Sequence, residues 1–198
     1  MKENFLKSSM NLITKNKKYS NDEIEIIRYG LEALYLTITK MIIIIIIATS
    51  LNILKETILL LICYTIIRNQ SFGLHATKSI YCLISSIIFF IGGAYLCKYI
   101  IIPNYLIISI ALLCNIFLFL YAPADTHKRP LINKKKRKKF KIISTILGLI
   151  YTIIIIIFIN NPITNFLLLG MLEAVLMILP ITYKIFKLPY NNYKNYGV

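Results

Sequence analysis

Apolar residues in this chain come in long blocks rather than at the spacing of half-buried helices or strands. Uninterrupted runs such as 42–47 (IIIIII) and 153–159 (IIIIIFI) are bounded by short polar stretches. Six blocks stand out, at about 31–50, 54–67, 79–98, 100–121, 141–160 and 163–182. A helix of roughly 20 apolar residues crosses a ~30 Å hydrocarbon core. The pattern therefore predicts an all-α, polytopic membrane protein with about six transmembrane helices. The second block is short and Lys40 falls within the first, so tilting or snorkelling towards an interface is expected there. Four crossings with re-entrant pieces is the alternative.

The segment ahead of the blocks has a different pattern. In residues 1–18, Phe5, Leu6, Met10, Leu12 and Ile13 fall roughly on one helical face with lysines elsewhere, which predicts an amphipathic N-terminal helix lying on a membrane surface. Residues 14–30 are polar and charged, the wrong pattern for a cleavable signal. Ser20 followed by Glu23 is a capping box, which starts a new helix near residue 21.

Composition adds direction to this picture. Of the 198 residues 58% are hydrophobic and only 16% charged, far from the roughly 25% charged of soluble domains. The net charge of +15 would suggest nucleic acid on a soluble chain. In a membrane protein it reads instead as lysine and arginine gathered in cytoplasmic segments against anionic lipid, and nucleic acid is not expected as a partner. With the N-terminus inside, the cytoplasmic segments are 1–30, 68–78, 122–141 and 183–198. They hold 20 of the 23 Lys and Arg, leaving Lys55 and Lys98 in external turns and Lys40 within a span. Both termini are thus expected in the cytoplasm. The chain reads as one membrane-embedded domain over 1–198, with an interfacial segment at 1–30 and a basic loop at 122–141. The KKKRKK run of that loop is a lipid-facing anchor that could also attract an acidic peptide.

One polar stretch between spans carries candidate chemistry: 68–82, RNQSFGLHATKSIYC. A cysteine thiolate attacks carbonyls, and a neighbouring imidazole can take its proton. On one continuous helix His75 and Cys82 would share a face yet lie about 10.5 Å apart along the axis, beyond hydrogen-bond reach of about 3 Å. The pair works only if the chain bends between them or His75 folds back from a loop, and Gly73 permits such a bend. A third span beginning near Ser79 puts Cys82 in its first turn. Against this, a lone cysteine in a membrane helix is commonly a packing residue and a lone loop histidine commonly just polar. Spacing alone leaves both readings open. Asn69, Gln70 and Asp125 are candidates to orient His75, each also readable as a plain loop residue.

These residues resemble the active-site region of the accessory gene regulator B (AgrB) family, membrane endopeptidases of Gram-positive quorum sensing. Arg68, Gly73-Leu74-His75-Ala76 and Cys82 carry the likeness, joined by Tyr121-Ala122-Pro123-Ala124-Asp125-Thr126 and Arg129-Pro130-Leu131 after the fourth span. The resemblance implies a cysteine endopeptidase of the bacterial cell membrane, its site at the cytoplasmic face. It would remove the C-terminal part of an AgrD-like propeptide, hold the rest as a thioester, and release a cyclic thiolactone or lactone, the precursor of a pheromone. By position Cys82 is the nucleophile and His75 the general base, with Arg68 and Gly73 supporting them. A homodimer is implied as well, along with contact to anionic inner-leaflet lipid.

Elsewhere Cys63, Cys97 and Cys114 read as packing residues, and with no paired cysteine spacing and only two histidines no metal or other cofactor is expected. His127 reads as a loop residue. Glu173 is an acid inside the sixth block, a functional candidate by default, though pairing with a base or facing an aqueous pocket would also account for it. The competing functional class is a non-catalytic peptide exporter or scaffold. Transporters tend to break their helices near the midplane, whereas these spans are largely unbroken Ile and Leu. Thiol labelling at neutral pH separates the classes: Cys82 is expected to react faster than the other three cysteines, and equal rates at all four would count against a nucleophile.

Overall fold

The structure is a computed structural model that describes residues 2–15, 19–74, 79–126 and 130–196. It is all-helical, with no strand among the described residues; a single parallel bridge pairs Phe72 with Ala124. The helices are α1 (Lys2–Thr14), α2 (Asn21–Ser50), α3 (Leu54–Ser71), α4 (Ser79–Ser86), α5 (Gly93–Tyr99), α6 (Asn104–Tyr121), α7 (Lys134–Ile157), α8 (Ile163–Leu176) and α9 (Pro180–Ile185). A π-helical stretch, Ile87–Gly92, joins α4 to α5, and a 3-10 turn, Asn192–Tyr196, closes the described chain. Each of the six apolar blocks contains a helix. Four helices are long and apolar enough to cross a membrane: Glu23–Ser50, Ile80–Tyr99, Asn104–Tyr121 and Lys134–Ile157. Helix α8 is apolar but shorter, and α3 carries Lys55, Glu56 and Arg68 within its 18 residues.

The chain divides into two compact units, residues 1–50 and 51–198. In the first, α1 packs along α2 through the Phe5 and Tyr35 rings, 5.3 Å apart, and an ion pair between Lys2 and Glu32. Leu6 is buried against the rest of the unit, while Leu12 is 75% exposed. The capping box forms as read. Glu23 Oε2 accepts from the Ser20 backbone N–H at 2.8 Å, and the Glu23 N–H donates to Ser20 Oγ at 3.3 Å.

The second unit is built around α3, which packs against α5, α7 and α8. Apolar burial drives little helix association in lipid, so close packing and interhelical hydrogen bonds must hold the bundle. Gly170 of α8 lets that helix approach so closely that a Cβ there would lie 2.8 Å from Tyr64 N and 2.9 Å from Cys63 Cβ. The Tyr151 hydroxyl of α7 donates to the Cys63 carbonyl at 3.0 Å. Helices α6 and α7 are joined by buried Asn115, whose Nδ2 donates to Thr152 Oγ1. Cys63, Cys97 and Cys114 are all buried, in keeping with packing roles. At the end of the bundle where α5 finishes, Lys98 pairs with Glu56 at 2.9 Å and donates to the Asn52 carbonyl.

The α3–α8 contact makes a specific demand. Gly170→Val should destabilise the fold by about 1–3 kcal/mol through overpacking, whereas Gly30→Ala on exposed α2, with nothing within 4 Å of the new Cβ, should be neutral or mildly stabilising. Thermal unfolding in detergent checks both.

Candidate active site

The site begins where α3 stops. Its last turn carries Arg68, and the Phe72 N–H closes the helix onto the Arg68 carbonyl at 3.0 Å. Phe72 then takes φ +56°, a left-handed conformation costly for a bulky side chain, and its ring stands edge-on against Phe140 of α7 at 4.9 Å. Gly73 follows at φ +109°, accessible only to glycine without strain. A Cβ at Gly73 would also collide with the Arg68 guanidinium and the Met177 carbonyl. Both the angle and the space require glycine there.

Residues 72–74 have left the helix, so their peptide groups, and the last carbonyl of α3, need partners from elsewhere. The loop after α6 supplies two: the Ala124 N–H donates to the Ser71 carbonyl at 3.0 Å, and the Gly73 N–H donates to the Ala124 carbonyl at 2.7 Å. The end of α8 supplies a third, the Met177 carbonyl, which accepts from Leu74 N–H at 2.9 Å. Arg68 completes the set, its Nη2 donating to the Gly73 carbonyl at 3.0 Å and the Leu74 carbonyl at 2.6 Å. Arg68 Nη1 is buried and has no partner among the described residues. Leu74 itself is buried. The chain entering residue 75 is thus held on three sides.

His75 lies outside the described residues, as does His127. Helix α4 begins at Ser79, and Cys82 sits in its first turn, half-buried. Tyr64, one turn before Arg68 on α3, lies within electrostatic reach of Arg68, Glu173 and Cys82, and its ring packs edge-on against Phe90 at 5.2 Å. The structure therefore brings Arg68 and Gly73 together at the end of α3 and sets Tyr64, which the sequence reading passed over, within electrostatic reach of Arg68 and Cys82. The signal was there: residues 64 and 68 share a helical face. Glu173 is buried, with Oε1 facing Gly93 and Oε2 unpartnered among the described residues, and it makes no ion pair there.

Asp125 is placed by backbone amides. Its buried carboxylate accepts from three backbone N–H groups, those of Asn192 (3.0 Å), Tyr193 (2.8 Å) and Leu131 (3.3 Å). Its own carbonyl accepts from the Tyr183 hydroxyl at 2.9 Å. Burial pushes the Tyr183 phenol well above its ordinary range, so it stays a neutral donor. The loop that holds Gly73 by its backbone therefore holds the C-terminal tail by its one acid. Asn69 is exposed and Gln70 half-buried.

Substituting Asp125 tests this latch. Asp125→Asn puts an N–H₂ where one of the two oxygens accepts, so it should cost roughly 2–3 kcal/mol locally. The tail beyond Pro189 should then be cut by added protease several-fold faster than in the parent chain, as read by intact-mass analysis.

Comparisons with known proteins bear on this arrangement. The family model for accessory gene regulator B matches residues 6–179. An AgrB-like protein of Clostridium acetobutylicum is 35% identical over 180 residues, covering 90% of this chain and 86% of that one. An AgrB-like protein of Listeria monocytogenes is 32% identical over 186 residues, 93% and 91% of the two chains. The accessory gene regulator protein B of Staphylococcus aureus is 36% identical over 160 residues, 79% and 83% of the two. No solved structure matches the chain. The match over nearly the whole length places the chain in the accessory gene regulator B family.

Proposed function

We propose that the 198 residues act as one membrane-embedded cysteine endopeptidase that cuts an AgrD-like propeptide and cyclises what it retains. The observation that carries this reading is the anchoring of residues 71–74 by Arg68, Ala124 and Met177, directly ahead of a helix whose first turn bears Cys82. Such a held loop is what an imidazole at position 75 needs in order to meet a thiol seven residues later.

In the proposed reaction Cys82, deprotonated by His75, attacks the scissile carbonyl carbon. The C–N bond breaks as the departing amine takes the proton from the imidazolium, leaving the N-terminal part as a thioester on Cys82. An internal thiol or hydroxyl of the peptide then attacks that thioester carbonyl, its proton passing through His75 to the Cys82 sulfur. The ring closes and the enzyme is regenerated. The thioester keeps its acyl-transfer potential, so no other energy source is needed provided water is kept out. Arg68 and Gly73 act as positioning residues: the first fixes two carbonyls of the loop, and the second provides its bend.

The same reading includes six crossings with both termini in the cytoplasm, a site at the cytoplasmic membrane face, a homodimer, and attraction of the basic segments to anionic inner-leaflet lipid. The gathering of positive charge in the cytoplasmic segments supports the orientation.

Co-expression with an AgrD-like propeptide, read by mass spectrometry, tests the chemistry. The parent chain should cleave the peptide and accumulate a hydroxylamine-labile adduct at Cys82. Cys82→Ala and His75→Ala should each lose at least about 10³-fold of the rate, and Arg68→Lys about 10-fold or more through loss of the two carbonyl contacts. Unchanged cleavage in both the Cys82 and His75 variants would overturn the peptidase reading and favour an exporter or scaffold.

A further inference from the structure

The KKKRKK run opens α7, and its charges divide between two faces of the helix. Lys134, Arg137, Lys138 and Lys141 follow i, i+3, i+4, i+7 spacing, so they form one stripe about 10.5 Å long. Further along α7 the buried residues are Ser144, Gly148, Tyr151, Thr152 and Ile155. The same spacing continues through them, so the basic stripe extends the face that α7 turns towards the bundle. Lys135, Lys136 and Lys139 lie on the other faces and are exposed, as are Lys134 and Lys138 at the rim of the stripe, while Arg137 and Lys141 are half-buried. Attraction to a charged membrane surface explains those three; it does not explain four cations lining one cavity.

The inward stripe lines a cavity of about 600 Å³ between the end of α6, the start of α7 and the C-terminal tail, within the range of small-ligand sites. Tyr121 and Tyr190 contribute to its walls. Arg137 stacks over the Tyr193 ring, 3.1 Å from its centroid, and Lys141 lies over the Phe119 ring at 4.7 Å. Burial, with Tyr121, Tyr193 and Asp125 nearby, pushes the Tyr190 hydroxyl up to about 12, so it remains a neutral donor. No ion pair among the described residues involves any of the four cations. Residues 51–198 hold only three acids. Glu56 is paired with Lys98, Asp125 is held by backbone amides, and Glu173 is buried in the bundle. The stripe also sits at the N-terminal end of α7, where the helix dipole is itself positive and cations are unfavourable. An anion there would offset both the mutual repulsion and the dipole.

We propose that this cavity is a defined binding site for the phosphodiester headgroup of an anionic phospholipid. The placement favours lipid over a soluble anion. Leu120 and Tyr121, on the cavity wall, end a helix long and apolar enough to cross a membrane, and Lys141 reaches over the Phe119 ring just before them. The cavity therefore opens where headgroups lie, with apolar surface next to it for acyl chains. The proposal adds a specific site to the general lipid attraction above and does not depend on the peptidase chemistry.

The test uses the full chain, delipidated in detergent and titrated with phosphatidylglycerol or phosphatidylcholine, with bound lipid counted by native mass spectrometry. The parent chain should retain phosphatidylglycerol and unfold at a higher temperature in its presence, with phosphatidylcholine doing neither. Replacing Lys134, Arg137, Lys138 and Lys141 together by glutamine should weaken phosphatidylglycerol binding at least about tenfold. Replacing Lys135, Lys136 and Lys139 should change it by no more than about twofold. If the fourfold variant does not fold, Lys134→Gln and Lys138→Gln, at exposed positions, should each weaken binding more than Lys135→Gln. Equal losses from the two faces would overturn the site in favour of diffuse attraction. Equal protection of the parent chain by glycerophosphate would overturn the choice of lipid. Displacement of no lipid by the inward substitutions, together with inward-dependent binding of an acidic peptide, would assign the cavity to peptide instead.

Discussion

A chain that leaves helical geometry inside an apolar helix bundle must find partners for every peptide group it buries, because apolar side chains offer none. Residues 71–74 meet that demand with groups from three distant places in the sequence: the Arg68 side chain, the backbone of Ala124 and the carbonyl of Met177. The remainder of the second unit is arranged to bring those three together. Gly170 draws α8 against α3, which sets where Met177 emerges, and the Asn115–Thr152 contact ties α6, whose end carries Ala124, to α7. Phe72 is held in an unfavourable conformation because its ring is needed against Phe140. The helix packing and the loop are one problem solved together.

Much of this architecture could be read from the residues. The apolar blocks became helices, the Ser20–Glu23 capping box opened α2, and α4 starts at Ser79 with Cys82 in its first turn. These features depend on local patterning, which a sequence carries openly. The number of crossings was less legible, because charges in α3 and the shortness of α8 blur the pattern and four helices alone are long and apolar enough among the described residues. Contacts made by backbone atoms could not be read at all: nothing about methionine at 177 marks its carbonyl as a partner for Leu74. Asp125 shows a related limit. Its side chain announces an acid in a loop, but three backbone amides decide what that acid does, and they come from segments far apart in the chain.

Charge was legible in amount and not in direction. The run at 134–139 reads as a solvated block until the helix is built, and only then do the inward and outward faces separate. The same is true of Tyr64, an ordinary aromatic in an apolar block until α3 places it beside Arg68 and within reach of Cys82. In both cases the information lies in helical phase relative to neighbouring helices, which depends on tertiary packing.

The π-helical stretch Ile87–Gly92 gives that phase an unusual freedom. A turn closed by i→i+5 bonds holds more residues than an α-turn, so the half of the helix bearing Cys82 is rotated relative to the half that packs through Gly93, Ala94 and Cys97. The aim of the thiol and the seating of the helix in the bundle are therefore written in separate stretches of sequence. Over generations, gain or loss of a single residue between them would swing Cys82 by about 100° while the packed half stayed where it was. A small insertion of this kind is a route by which related chains could re-aim one side chain without rebuilding their interior.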